Sequence, residues 1–168
     1  MTTTYLETFA PPPGPPLSLP TDALVLRAVR PTVTFYRFLY RSVGGPWQWT
    51  DRDRLSDDAL EALVTPAQVH VHVLYVAGTP AGYVELAYGP FEGTDAVAEG
   101  EAQVVYFGLM PHAIGRGLGR AFLDWAVREA FAQGARRLWV HTCSLDHPRA
   151  LPAYEKTGFV PYRTETAG

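Results

Sequence analysis

Tyr106-Phe-Gly-Leu-Met-Pro-His-Ala-Ile-Gly-Arg-Gly-Leu-Gly-Arg-Ala-Phe-Leu-Asp-Trp-Ala-Val127 decides the fold of this chain. An apolar run from about Ala102 to Leu109 reads as a strand, Pro111 stops it, and glycines recur at 115, 117 and 119. Leu118, Ala121, Phe122 and Trp125 then fall on one face at helical spacing, and Gly134 supplies the C-terminal stop. Arg137-Leu-Trp-Val-His-Thr-Cys143 reads as the next strand, so the unit is strand, loop, helix, parallel strand. A glycine loop at a helix start gathers unpaired N–H groups and the positive end of the helix dipole, which suits a phosphate. Gly119 is followed by Arg120-Ala121, not Lys and Ser or Thr, so the loop is no P-loop. Arg120 stands in the place of the last glycine of a dinucleotide fingerprint, which removes that reading too. A purely structural glycine turn stays open at this point.

Working outward, Ala23–Val29 is a short β-rich run and Thr32–Arg41 a helical stretch ended by Gly44, Gly45 and Pro46. Ser56 before Asp57 and Asp58 matches an N-cap with an acidic first turn, so a second helix runs through Val64. Val69, Val71, Val73 and Tyr75 alternate with His70, His72 and Leu74; with Gly78-Thr79-Pro80 and Ala81–Tyr88 they predict an antiparallel hairpin. The two histidines lack carboxylate or cysteine companions and read as a solvated face. A shorter helix leads through Tyr154 to Gly158, and Phe159-Val160 opens a last strand. The result is one α/β domain over residues 21–168, preceded by a proline-rich N-terminal arm over residues 1–20. The arm reads as a leader lying along the domain, with a ligand for a proline-binding module as the alternative.

The chain has 168 residues, 47% of them hydrophobic, which suits one domain with a real core. A net charge of −3 lacks the basic excess that nucleic acid requires and mildly favours cationic amines as partners. The single cysteine, Cys143, forms no internal disulfide and offers no zinc cluster, pointing to a reducing, cytoplasmic setting. No apolar run approaches the roughly 18 residues of a membrane helix, and Met-Thr-Thr-Thr-Tyr does not resemble a secretion signal. No metal and no membrane are therefore expected, and a homodimer is compatible with the sequence.

Residues 106–127 followed by Arg136-Arg-Leu-Trp-Val-His-Thr-Cys-Ser-Leu-Asp-His-Pro-Arg-Ala-Leu-Pro-Ala-Tyr-Glu-Lys-Thr-Gly-Phe159 resemble the GCN5-related N-acetyltransferase superfamily. That family carries R/Q-x-x-G-x-G/A and, on a later helix, a tyrosine before a Gly-Phe pair. The resemblance is specific over about residues 101–162 and general over 23–90, where the order β-α-α-β-β agrees. It implies a mixed, splayed sheet with helices on both faces, acetyl-CoA as acyl donor, and direct attack by a primary amine of a small molecule or peptide. The implied CoA-binding set is Leu109, Gly115, Arg116, Gly117, Leu118, Gly119, Arg120 and His147. Ile114 replaces the family's Arg or Gln, so backbone from Gly115 to Arg120 must hold the pyrophosphate; His147 replaces an Asn that many members carry. Pro152 predicts a tyrosine helix that starts late or bends. Leu145-Asp146-His147-Pro148 looks like the signature of a bacterial subgroup of undefined substrate.

In such a site the amine must be neutral to attack, the carbonyl oxygen gains negative charge, and a thiolate leaves. Similarity sets the carbonyl beside backbone N–H groups of the strand ending at Met110, and makes Tyr154 the acid for the departing sulfur. Gln103 occupies the position of a family glutamate and takes no proton, leaving Glu101, two residues earlier, and Glu85 as candidate bases. His141 has a suitable ordinary pKa but reads first as a hydrogen-bonded core residue. Trp47 and Trp49, between the first two helices, either wall an organic amine or plug the core. Cys143 in an apolar strand reads as a small buried hydrophobe, not a nucleophile. A non-catalytic acyl-CoA sensor and a protein-interaction module remain as alternatives.

Overall fold

The computed structural model describes residues 1–168. In chain order its elements are β1 (Thr2–Thr8), β2 (Ala23–Ala28), α1 (Val33–Gly44), α2 (Asp57–Val64), β3 (Val69–Val76) and β4 (Thr79–Tyr88). There follow β5 (Phe91–Glu92), β6 (Ala96–Val97), β7 (Glu101–Leu109), α3 (Leu118–Ala132), β8 (Arg137–Cys143), α4 (Ala150–Lys156) and β9 (Val160–Thr166). Local chemistry explains most boundaries. Thr32 and Ser56 cap α1 and α2 by accepting from Phe35 N and Ala59 N, at 3.2 Å each. Ala77 and Gly78, at φ 50° and 83°, form the tight β3–β4 turn, so the hairpin closes one residue earlier than Gly78-Thr79-Pro80 suggests.

Seven strands form one sheet in the order β2-β3-β4-β7-β8-β1-β9, and β5 and β6 form a separate small hairpin. Every neighbouring pair in the large sheet is antiparallel except β7 and β8. Helices α3 and α4 cover one face, with Phe122, Leu123 and Val127 against Leu6, Val104 and Val140. Helices α1 and α2 cover the other, with Tyr36, Leu39 and Leu60 against Val71 and Tyr83. The architecture is a single-domain α/β fold with a mixed, open sheet and helices on both faces, as the family resemblance implied.

The parallel pair is short. Its ladder runs from Glu101 opposite Arg137 only to Val104 opposite Val140. Beyond it β7 stays bonded to β4 as far as Leu109 opposite Gly82, and β8 stays bonded to β1 as far as Cys143 opposite Thr3. Val105 is an extra residue on β7, since Leu86 pairs with Val104 and Glu85 with Tyr106. This bulge bends β7 away from β8 and turns Tyr106 to the α1 face and Phe107 to the α3 face. The sheet therefore parts down its middle.

Two sequence expectations change. Residues 2–8 are not part of an arm: β1 lies between β8 and β9, and Leu6 is fully buried. Threonines beside a tyrosine and a leucine suit a strand, and the seat this one fills is inside the sheet. The proline-rich run crosses from there to the opposite edge, held on α3 by Leu17 N–H donating to Asp124 Oδ2 (3.1 Å) and by Arg128 Nη2 donating to the carbonyls of Gly14 and Pro15. His70 and His72 are likewise not a solvated face. His72 is 5% exposed and packs edge-on against Trp125 of α3, which covers that side of β3. No helix is long and apolar enough to cross a membrane.

Candidate active site

The parting of β7 from β8 opens a cleft of about 1130 Å³ that reaches both faces of the sheet. At its α3 end lies the glycine loop. Gly115 and Gly117 sit at φ 85° and 75°, where an L side chain is strained, and nothing lies within 4 Å of where a Cβ would project from either. Gly117 is the N-cap of α3 and offers no capping side chain, so the first N–H groups of this 15-residue helix are left for a ligand. Gly119 lies against Leu109: a methyl group in place of its hydrogen would stand 3.4 Å from Leu109 Cδ1.

Met110 N–H is occupied by Ala81 O (2.8 Å), so alternation along an antiparallel ladder turns the Leu109 N–H toward the parted side. Leu109, not Met110, thus turns its N–H into the cleft. Tyr154 lines the same cleft from α4, wedged between Phe107 and Phe159 at ring distances of 6.4 and 5.6 Å. Burial, and then the charge of Asp146, push its phenol well above the ordinary range, so it stays protonated. Pro152 neither delays nor bends α4: it is the third residue, where its missing N–H would have no helical acceptor. His147 lines the cleft, with Nδ1 accepting from Arg149 N (3.0 Å) and its ring 4.7 Å from Trp47.

On the α1 face the two tryptophans act both as wall and as packing. Trp49 lies beside Tyr40 and Tyr106 at 5.7 and 5.0 Å, made possible by Gly44 beneath it, and its indole N–H donates to Asp146 Oδ1 (3.1 Å). The other oxygen of Asp146 accepts from Thr142 Oγ1 (2.7 Å) and Cys143 N–H (2.9 Å). One carboxylate thus ties the tryptophan loop to the end of β8 across the cleft.

Neither carboxylate expected near the amine lines the cleft. Glu85 is 1% exposed, and its Oε1 accepts from Arg52 Nη1 (2.7 Å) and Tyr36 Oη (2.6 Å) inside the α1 core. Glu101 stands at the opposite end of β7 from the glycine loop, bonded to Arg137 Nη1 (3.0 Å). Instead, Asp95 reaches into the cleft from the loop joining β5 and β6, where its Oδ2 meets His141 Nε2 (3.3 Å) and Gln103 Nε2 (3.0 Å). The hydrogen bond from His141, against the opposing effect of burial, holds the Asp95 carboxyl below the usual range.

A model of the acetyltransferase (GNAT) family matches residues 33–159. The chain belongs to that family. Among solved structures this family member is similar to an aminoglycoside acetyltransferase, meta-AAC0020, from an uncultured soil metagenomic sample, in complex with sisomicin. That match has 12% identity and a TM-score of 0.63, and it covers 82% of this chain and 88% of the other. A GCN5-related N-acetyltransferase from Kribbella flavida matches at 18% identity and TM-score 0.61, over 98% of this chain but only 56% of that one. A second soil aminoglycoside acetyltransferase, HMB0005, matches at 18% identity and TM-score 0.62, over 88% and 96%. These identities show a shared fold. No curated protein matches the chain.

The family pattern points to the glycine loop and to Tyr154, but three cleft residues of this acetyltransferase-family chain escape it. Tyr5, whose ring lies 5.4 Å from His141, arrives on β1. Asp95 sits in a loop of ordinary polar composition, and Asp146, although it stands in the Leu145–Pro148 signature, carries no role of its own there. The pairing of β1 with β8 and the path of the 89–100 loop are long-range facts with no local signal.

Proposed function

We propose that this protein transfers an acetyl group from acetyl-CoA to an amine by direct attack within a ternary complex. The observation that carries the reading is the parted β7–β8 pair, with an uncapped glycine loop at one end and a buried, protonated tyrosine on the α4 side. In it Gly115 to Arg120 bind the pyrophosphate through backbone N–H groups, and Arg116 and Arg120 add positive charge. The Leu109 N–H steadies the acyl oxygen as it gains charge, and the Tyr154 phenol protonates the departing sulfur. His147 closes the donor side of the cleft, and Trp47 and Trp49 form the acceptor wall, where aromatic faces suit a cationic or apolar amine.

The test has two stages. Acetyl-CoA at about 100 times its Kd should stabilise the fold by roughly 2.7 kcal/mol, read as a rise in melting temperature. CoA release, corrected for hydrolysis, should then appear with at least one member of an amine panel that includes an aminoglycoside such as sisomicin. Binding with no turnover of any amine favours a sensor, and the absence of binding removes the reading altogether.

A further inference from the structure

We propose that His141 is the base that takes the proton from the attacking amine, with Asp95 as its positioning residue; this rests on the acyltransfer reading above. The position is set by the fold. The β7–β8 ladder ends at Val140, so His141 is the first residue of β8 past the last parallel pair, at the point where the strands separate. Val140 faces the α3 core, so alternation turns His141 to the α1 face, the side of Trp47 and Trp49, while Tyr154 stands on the opposite side. Acid and base thus flank the gap from its two faces.

The imidazole is also held in one useful form. Asp95 faces the ring at Nε2, so in the neutral imidazole Nε2 is the nitrogen that donates to the carboxylate and Nδ1 the one with a free lone pair. Gln103 Nε2 donates to the same Asp95 oxygen and fixes the carboxylate. Gln103, which cannot itself take a proton, therefore supports a base on the neighbouring strand. Tyr5 packs on the ring from β1, and the Arg163 guanidinium of β9 lies 3.8 Å from the centroid of the Tyr5 ring.

The chemistry balances. Nδ1 accepts one proton from the ammonium group, the freed nitrogen lone pair forms the N–C bond, and the C–S bond breaks. The thiolate takes the Tyr154 proton. The second proton lost by nitrogen restores the phenol, and His141 returns its own to solvent.

The experiment compares nucleophiles that need a base with one that does not. Sisomicin, spermidine and 2-phenylethylamine are ammonium ions at neutral pH, whereas hydroxylamine is neutral. His141→Gln, which can still donate to Asp95, should lower acetyl transfer to whichever ammonium acceptor the wild type uses by about 100-fold or more. Transfer to hydroxylamine and the rise in melting temperature with acetyl-CoA should be kept. Asp95→Asn, which leaves the ring in place, should lose about 10- to 100-fold with the same selectivity. Equal losses for both kinds of nucleophile, or no loss in either variant, would overturn the assignment. A wild-type protein that binds acetyl-CoA but acetylates none of the four removes the acyltransfer reading, and the base falls with it.

Discussion

Tyr154 and Glu85 are both buried, yet their surroundings give them opposite prospects. Tyr154 keeps its proton because burial and the nearby Asp146 charge disfavour the phenolate, and its ring is packed whether or not the hydroxyl is present. Tyr154→Phe should therefore lower kcat by about 100-fold or more while leaving acetyl-CoA affinity and stability nearly unchanged. An unchanged rate would make Tyr154 a packing residue. Glu85 is committed to Arg52, a residue 3% exposed whose Nε has no partner of its own. Glu85→Gln strands that charge, so it should cost about 3–5 kcal/mol of stability in urea unfolding, the scale for breaking a buried pair. A variant that keeps full stability and loses turnover would return Glu85 to the chemistry.

At the scale of elements, the start of α3 makes the sharpest claim. Gly117 at φ 75° faces open space, so Gly117→Ala carries only backbone strain of about 1–2 kcal/mol, whereas Gly117→Glu sets a carboxylate where phosphate oxygens would lie. Gly117→Glu should abolish the thermal shift with acetyl-CoA and Gly117→Ala should reduce it; normal binding by a folded Gly117→Glu protein would move the phosphates elsewhere. The packing of α3 on β3 has a separate signature. Burial against Trp125, partly offset by Glu129, pushes the His72 imidazole down to about 4, whereas the unfolded ring titrates near 6.5. Between those values the unfolded state binds more protons, so stability should fall by about 3 kcal/mol as pH drops through that window. His72→Phe should flatten that part of the pH–stability curve. The sequence displays the period of β3 but not which helix lands on it, so the burial of His72 was not legible there. The glycine loop was legible because its signal is local: three closely spaced glycines between a strand and a helix.

Over the whole molecule, the parted sheet depends on a strand from the far end of the sequence. β1 gives β8 a partner where β7 leaves it, and Leu6 is 0% exposed. Leu6→Ala should cost about 2–5 kcal/mol in urea unfolding, as for other buried leucines, whereas in a detached arm it would cost almost nothing. Threonine-rich residues 2–8 look unremarkable before a proline run, which is why they read as an arm; only the seat between β8 and β9 reveals their role. The donor and acceptor sides differ in the same way: Gly115 to Arg120 and Tyr154 follow from a local pattern, while Asp95, His141 and Tyr5 meet only after three distant segments pack. The most direct measurement is a crystal structure of the CoA complex. The pyrophosphate is expected on the N–H groups of Gly115 to Arg120, with pantetheine between β7 and β8 and the sulfur within hydrogen-bond reach of Tyr154 Oη. Phosphates bound away from that loop, or a sulfur lying apart from Tyr154, would contradict the assignment of the cleft.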